Sequence, residues 1–182
     1  MTIEELARKR YSVRHYAERL VERQKIEACV EAARLAPSAC NAQPWRFVVA
    51  DDPSLVARIA PLTTTPGVPI NSFVKQAPVI VAVVTERPNL SSRFGAAIQK
   101  TPFHLIDVGI AAEHFCLQAA ELGLGTCMLG WFDKKKIKRI LGIPARKELP
   151  LLITLGYPKN EEIPKKARRD LDEILDYRRY GG

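Results

Sequence analysis

The run Ala77-Pro78-Val79-Ile80-Val81-Ala82-Val83-Val84-Thr85 limits the fold more than any other part of this chain. It is almost wholly apolar and rich in β-branched residues, and its alternate side chains would point to opposite faces of a sheet. Such a segment predicts a strand buried on both faces. A chain of 182 residues, 47% of them hydrophobic, holds enough apolar material for one compact domain with a core, or for one half of an obligate dimer. Charged residues make up 26%, which argues against wholesale disorder. The run is far shorter than the roughly 20 residues that cross a bilayer. Met1 to Arg10 reads as an amphipathic helix rather than a signal peptide, so the expectation is a soluble, cytoplasmic protein with no membrane partner.

Around this strand, helices and strands alternate. Thr2 and Glu5 have capping-box spacing and predict a helix to about Arg10. Arg23 to Ala36 places Ile26, Cys29, Val30, Ala33 and Leu35 on one helical face. Trp45 to Ala50 reads as a strand, and Asp52-Pro53 as the start of a short helix through Ile59. Pro61 to Pro69 reads as a loop. Glu86 to Thr101, with Pro88, two serines and Gly95, has little periodicity and reads as a lid or binding loop. Thr101-Pro102 is expected to cap the longest helix, which runs to Leu122 and is apolar or small around most of its circumference, as a central helix would be. Gly123 and Gly125 are expected to end it. An extended piece from Thr126 to Trp131 follows, then an Asp133-capped basic helix to Leu141 and a strand from Leu149 to Tyr157. The tail is basic at Lys165 to Arg169 and a mixed amphipathic segment from Leu171 to Tyr180. The pattern gives an α/β or α+β class, with a mixed strand order.

Chemistry-bearing residues cluster in few places. Arg10, Ser12 and Arg14 occupy alternate positions, so in an extended segment they project to one side and suit a phosphate. A solvated basic helix end would look the same. Pro37-Ser38-Ala39-Cys40-Asn41-Ala42-Gln43-Pro44-Trp45 sets a hydroxyl, a thiol and two side-chain amides between two prolines. Alone it reads first as a stiff turn in which Ser38 and Asn41 bond their own backbone, with a ligand-lining loop as the alternative. The four cysteines show no metal-ligand spacing, and Cys29 and Cys116 read as buried small hydrophobes. His104 and His114 read as locally hydrogen-bonded, with no metal site. The net charge of +8 favours anionic partners without choosing among them. The basic helix Lys134 to Leu141 reads as a solvated face, with no aromatics interleaved for nucleic acid. No acid–base triad or G-x-G-x-x-G stretch is present.

Taken in order, four segments resemble the nitroreductase family of FMN-dependent oxidoreductases. They are Arg10-Tyr11-Ser12-Val13-Arg14; Pro37 to Trp45; Asp107 to Ala112 with Glu121 to Thr126; and Leu141-Gly142-Ile143-Pro144 with Leu155-Gly156-Tyr157-Pro158. The resemblance implies an α+β fold in a single domain spanning residues 1–182. Its mixed, mainly antiparallel central sheet would be flanked by helices, and a homodimer built on a long central helix would carry FMN at the interface. Arg10, Tyr11, Ser12 and Arg14, with Lys166 and Arg168 of the tail, would hold the cofactor's phosphate end. Pro37, Ser38, Ala39 and Asn41 would line the flavin bound to the other subunit. Met128, Leu129 and Gly130 would pass along the ring. Phe103, His104 and Trp131 are candidates for the acceptor pocket. Cys40 stands where relatives often carry serine, threonine or glycine.

The activity implied is reduction of a nitroaromatic, quinone or related acceptor in a ping-pong cycle with NADH or NADPH as donor. The flavin would carry the chemistry, so no side chain is assigned a catalytic role. Dehalogenation or ene reduction on the same fold, and a non-enzymatic basic module that binds nucleic acid, are the alternatives.

Overall fold

The computed structural model describes every residue except Pro66, Pro69, Glu161 and Gly182. At its centre lies the strand the apolar run predicts, β2 (Val79–Thr85), with all seven residues buried. It pairs antiparallel with β1 (Trp45–Ala50) on one side and with β4 (Glu148–Gly156) on the other. Strand β3 (Gly125–Leu129) completes the sheet beyond β4, giving the order β1-β2-β4-β3. All three ladders are antiparallel; the parallel component is an isolated bridge from Ser12 to Thr126.

The two faces of β2 bury different partners. Ile80, Ala82 and Val84 join one core with Val56, Ile59 and Ile137, which come from α3 (Pro53–Ile59) and α6 (Lys134–Ile140). Val79, Val81 and Val83 join a second core with Cys29, Ala33, Val108 and Phe115, from α2 (Arg23–Arg34) and α5 (Phe103–Glu121). Helices on both faces explain why the β2 sequence is apolar from Val79 through Val84 rather than alternating. The Phe47 and Phe115 rings stack across the second core, centroids 5.9 Å apart.

Three caps fall where the sequence places them. Thr2 and Glu5 form the reciprocal capping box of α1 (Ile3–Lys9), Asp52 accepts from Ser54 and Leu55 N–H at α3, and Asp133 accepts from Lys136 N–H at α6. Other expectations need correction. Glu86 to Thr101 is not an irregular lid, because Leu90–Gln99 forms a helix, α4, capped by the Asn89 side chain. Its apolar residues Leu90, Phe94 and Ile98 recur every four positions but are exposed, so the stripe faces away from this chain. Thr101 does not cap α5, since its hydroxyl turns back to the Gln99 carbonyl. Leu35 lies beyond α2 and is exposed rather than part of its apolar face.

Gly123 alone, at φ +76, ends α5, while Gly125 opens β3. The long helix buries one face, and Leu105 and Ile106 stay exposed. The segment after Ile59 begins as a tight helical turn (Ala60–Thr63), with Pro66 and Pro69 of the expected loop outside the described residues. In the tail, Leu171–Glu173 forms one short turn instead of a longer amphipathic segment.

Candidate functional site

Helix α1 stops at Arg10, whose backbone turns extended at φ −67, ψ 122. From there the chain runs beside β3: Ser12 bridges Thr126, and Val13 N–H donates to the Thr126 carbonyl at 2.9 Å. The alternation expected of an extended segment is realised. Val13 is buried and Tyr11 packs against the core, whereas Ser12 and Arg14 face solvent and Arg10 is half-buried. Tyr11 therefore offers an adjoining ligand its backbone, not its ring. Gly125 makes the close approach feasible, because a Cβ there would stand 2.8 Å from Val13 Cβ.

The tail returns to this segment. Lys166 Nζ donates to the Ala7 carbonyl at 2.6 Å and to the Arg10 carbonyl. Burial first, then the positive charges of Arg10 and Arg168, hold the Lys166 ammonium below the ordinary lysine range. Arg168 and its neighbours Lys165 and Arg169 are exposed, so Lys166 is the tail cation that docks. Arg10 Nε lies 3.1 Å from Glu113 Oε1, close enough for an ion pair although Nε makes no aligned hydrogen bond. Arg14 Nη1 donates to the Ser12 carbonyl at 3.4 Å, and its guanidinium sits 5.9 Å from the Phe73 ring centre. Arg10, Lys166 and Arg168 bring three cations into one neighbourhood, and the Glu113 carboxylate beside Arg10 offsets only part of that charge. Their donors fit a phosphate dianion.

The Pro37–Gln43 turn lies elsewhere. Cys40, Asn41 and Gln43 all have left-handed backbones, at φ 52, 51 and 45. Ser38 Oγ accepts from Gln43 N–H at 3.0 Å, and Gln43 Nε2 donates to Asn41 Oδ1 at 3.0 Å. Two side-chain ties come from outside: Asp107 Oδ1 accepts from Ala39 N–H at 3.0 Å, and Asn89 Nδ2 donates to the Cys40 carbonyl at 2.9 Å. Neither tie was assigned a role from sequence. A lone Asp in an apolar helical run was the available signal for the first, and a cap-like Asn for the second. Among the described residues, no hydrogen bond or ion pair joins this turn to the Arg10–Lys166 group.

Of the strand-end residues, Leu129 is buried in the core and Met128 is half-buried, so any ring passing there meets chiefly their backbone. Gly130 is exposed, and a Cβ on it would meet nothing within 4 Å, which leaves open space at this end of β3. Trp131 is 60% exposed, its Nε1 donating to Thr65 Oγ1 at 2.8 Å. Phe103 and His104 start α5 one turn before Asp107, on the side of the Pro37–Gln43 turn, and His104 Nε2 lies 3.3 Å from Glu148 Oε2. Trp131 therefore lies at the end of β3, whereas Phe103 and His104 begin α5, the helix that carries Asp107. His114 Nδ1 lies 2.9 Å from the Ile110 carbonyl, a local bond of the kind expected.

Three of the four cysteines are inside. Burial pushes the Cys29 and Cys116 thiols up to about 12, the latter against a hydrogen bond with Thr126. Burial also raises Cys127, against Arg14, Ser12 and Arg10 beside it. Cys40 is exposed. Among the described residues, no three His, Cys, Asp or Glu side chains gather to hold a metal ion, and no helix is long and apolar enough to cross a membrane. In α6, Lys136 pairs with Asp133, and Lys138 Nζ donates to the Ala145 and Lys147 carbonyls, so part of that charge is spent on holding the fold.

Comparison with known proteins gives one answer. The Nitroreductase family pattern matches residues 7–67 and 65–157. A protein of Archaeoglobus fulgidus, named as a candidate NADH dehydrogenase/NAD(P)H nitroreductase, is 31% identical over 159 residues, 84% of this chain and 83% of that one. Among solved structures, a nitroreductase family protein of Streptococcus pneumoniae superposes with a TM-score of 0.82 at 26% identity, covering 97% of this chain and 100% of that one. An FMN-dependent nitroreductase of Clostridium difficile superposes with a TM-score of 0.76 at 27% identity, covering 98% and 100%. With an antiparallel four-stranded sheet between two helical layers and this match over most of its length, the chain belongs to the nitroreductase family.

Proposed function

We propose that this chain is an FMN-dependent oxidoreductase that takes reducing equivalents from NADH or NADPH and passes them to a nitroaromatic, quinone or related small acceptor. The observation that carries the reading is the docking of Lys166 on the Ala7 and Arg10 carbonyls, which adds the charge of the tail to the Arg10–Arg14 segment beyond what Glu113 offsets. A flavin phosphate is a dianion that would balance the remaining positive charge. When bound, FMN supplies the hydride and electron transfer.

The protein's part is to bind, orient and exclude. Arg10, Ser12, Arg14, Lys166 and Arg168 anchor the phosphate end. The backbone of Met128 to Gly130 borders the ring, and Gly130 keeps space open there. Pro37, Ser38, Ala39 and Asn41 come from a second copy of the chain, a reading supported by the lack, among the described residues, of any hydrogen bond or ion pair between them and the basic group. Exposed Phe94, Ile98, Leu105 and Ile106 supply apolar surface for that homodimer. Phe103, His104 and Trp131 shape the acceptor side. The basic helix does not favour nucleic acid over this reading, because two of its lysines are tied internally.

The test is direct. The purified protein should be yellow or take up FMN, bleach anaerobically with NADH or NADPH, and recolour on adding a nitroaromatic, a quinone or a halogenated phenol. The acceptor that recolours it fastest defines the class. A colourless protein that FMN cannot reconstitute overturns the proposal.

A further inference from the structure

We infer that Asp107 is the positioning residue of the flavin-facing turn: by accepting the Ala39 N–H it holds Pro37–Gln43 in register and so controls how the cofactor is bound, without touching it. This rests on the FMN reading above.

Asp107 is 4% exposed and sits in the apolar face of α5 between Val108, Ala111 and the second core. Among the described residues it is the one Asp, Glu, Lys, Arg or His side chain that is buried. A carboxylate in such a place is costly unless its oxygens are used. Oδ1 is used, by Ala39 N–H at 3.0 Å; Oδ2 has no hydrogen-bond partner among the described residues. The fold therefore retains a half-satisfied carboxylate, and the contact it makes with another element goes to the turn.

That turn needs holding. Three non-glycine residues within four positions have left-handed backbones, which side chains with a Cβ disfavour, and such conformations persist only where their surroundings enforce them. The internal bonds from Ser38 and Asn41 travel with the turn and do not fix it to the scaffold. Asp107 ties its leading end to the long rigid helix, while Asn89 ties Cys40. Moving Ala39 N–H displaces Ser38 on one side and Asn41 on the other, two of the residues assigned to the second subunit's flavin.

Two variants break the same bond from opposite sides. Asp107→Ala removes the acceptor. Ala39→Pro removes the donor at a position that accepts proline, because Ala39 opens a 3-10 turn and Ser38 before it is extended at φ −149, ψ 154. Read by FMN fluorescence titration and by the visible absorption band of the bound flavin, each should weaken FMN binding at least tenfold and shift the band. The double variant should be no weaker than the weaker single. Asp107→Asn, which keeps an acceptor for Ala39 N–H, should stay within threefold of wild type. Circular dichroism and the melting temperature establish folding. If Asp107 serves only fold stability, melting falls while FMN affinity and the flavin band of the folded variants stay unchanged, and the inference is overturned. Effects that multiply in the double variant also overturn it. Should Asp107→Ala not fold, Ala39→Pro with unchanged affinity and band gives the same refutation. A wild-type protein that binds no FMN overturns the functional reading and this inference together; binding by wild type with unaffected variants overturns this inference alone.

Discussion

Gly125 sets how closely the Arg10–Arg14 segment lies against β3, so Gly125→Ala tests the architecture of the basic group at one atom. The added Cβ would stand 2.8 Å from Val13 Cβ and 3.0 Å from Cγ1, with Cγ2 nearer still. A rotamer change of Val13 cannot relieve this, because Val13 Cβ is attached to the backbone. To reach ordinary contact the two chains must part from 2.8 to 3.4 Å, about 0.6 Å. The Val13 N–H to Thr126 carbonyl bond, 2.9 Å in the native chain, would then stretch to the edge of hydrogen-bonding range. Overpacking of this kind costs about 1–3 kcal/mol, and losing the bond costs about 1 kcal/mol more. For a domain of this size, the sum of those terms lowers Tm by roughly 5–15 °C. Urea unfolding should show a lower midpoint with an unchanged slope, and FMN titration should show at least tenfold weaker binding as Ser12 and Arg14 shift. Adding Val13→Gly, which deletes the clashing atoms, should recover more stability than additivity predicts. Adding Val13→Ala should recover less, because it leaves the Cβ in place. A Gly125→Ala protein with the wild-type urea midpoint and FMN affinity would refute the reasoning.

Three further outcomes are expected. Lys166, held below its ordinary range by burial and by Arg10 and Arg168, should rise when a phosphate dianion arrives. Binding then favours the protonated ammonium, so FMN affinity should fall as pH climbs through the free-protein pKa; Lys166→Gln should abolish that dependence and weaken binding at neutral pH by about 10–100-fold, the loss of one charge-assisted contact. Titration with a thiol reagent should find one fast cysteine in the folded protein and four in urea, with Cys40→Ser removing the fast one, since Cys29, Cys116 and Cys127 are buried. Glu22 is lowered to about 2, first by its hydrogen bond from Tyr157, and this is a depressed carboxylate. Its contribution to stability is therefore present above the ordinary glutamate range and lost as pH falls through about 2; carbon-13 NMR should show that midpoint rising in Tyr157→Phe.

Much of the site was legible before the fold because it depends on short-range rules. Positions 10, 12 and 14 face one way in any extended segment, and Val13 and Tyr11 must then face the other. The caps at Thr2, Asp52 and Asp133 need no more than three residues of context. Helix α4 escaped notice because Pro88, Ser91, Ser92 and Gly95 weaken its propensity and its stripe of Leu90, Phe94 and Ile98 is only one residue wide. Gly123 and Gly125 looked alike in sequence. One takes φ +76 to end a helix, and the other is small because Val13 lies over it.

The amino-acid sequence by itself determined the doubly buried strand, the polar turn between two prolines and the alternating basic segment, because each follows from periodicity or backbone restriction within a few residues. Only the tertiary structure decided which tail cation meets Arg10, a contact spanning 156 positions, and that Asp107 holds Ala39 across 68. Those pairings depend on where the sheet order and the helical layers carry distant segments. That is a property of packing, which no local pattern of residues encodes.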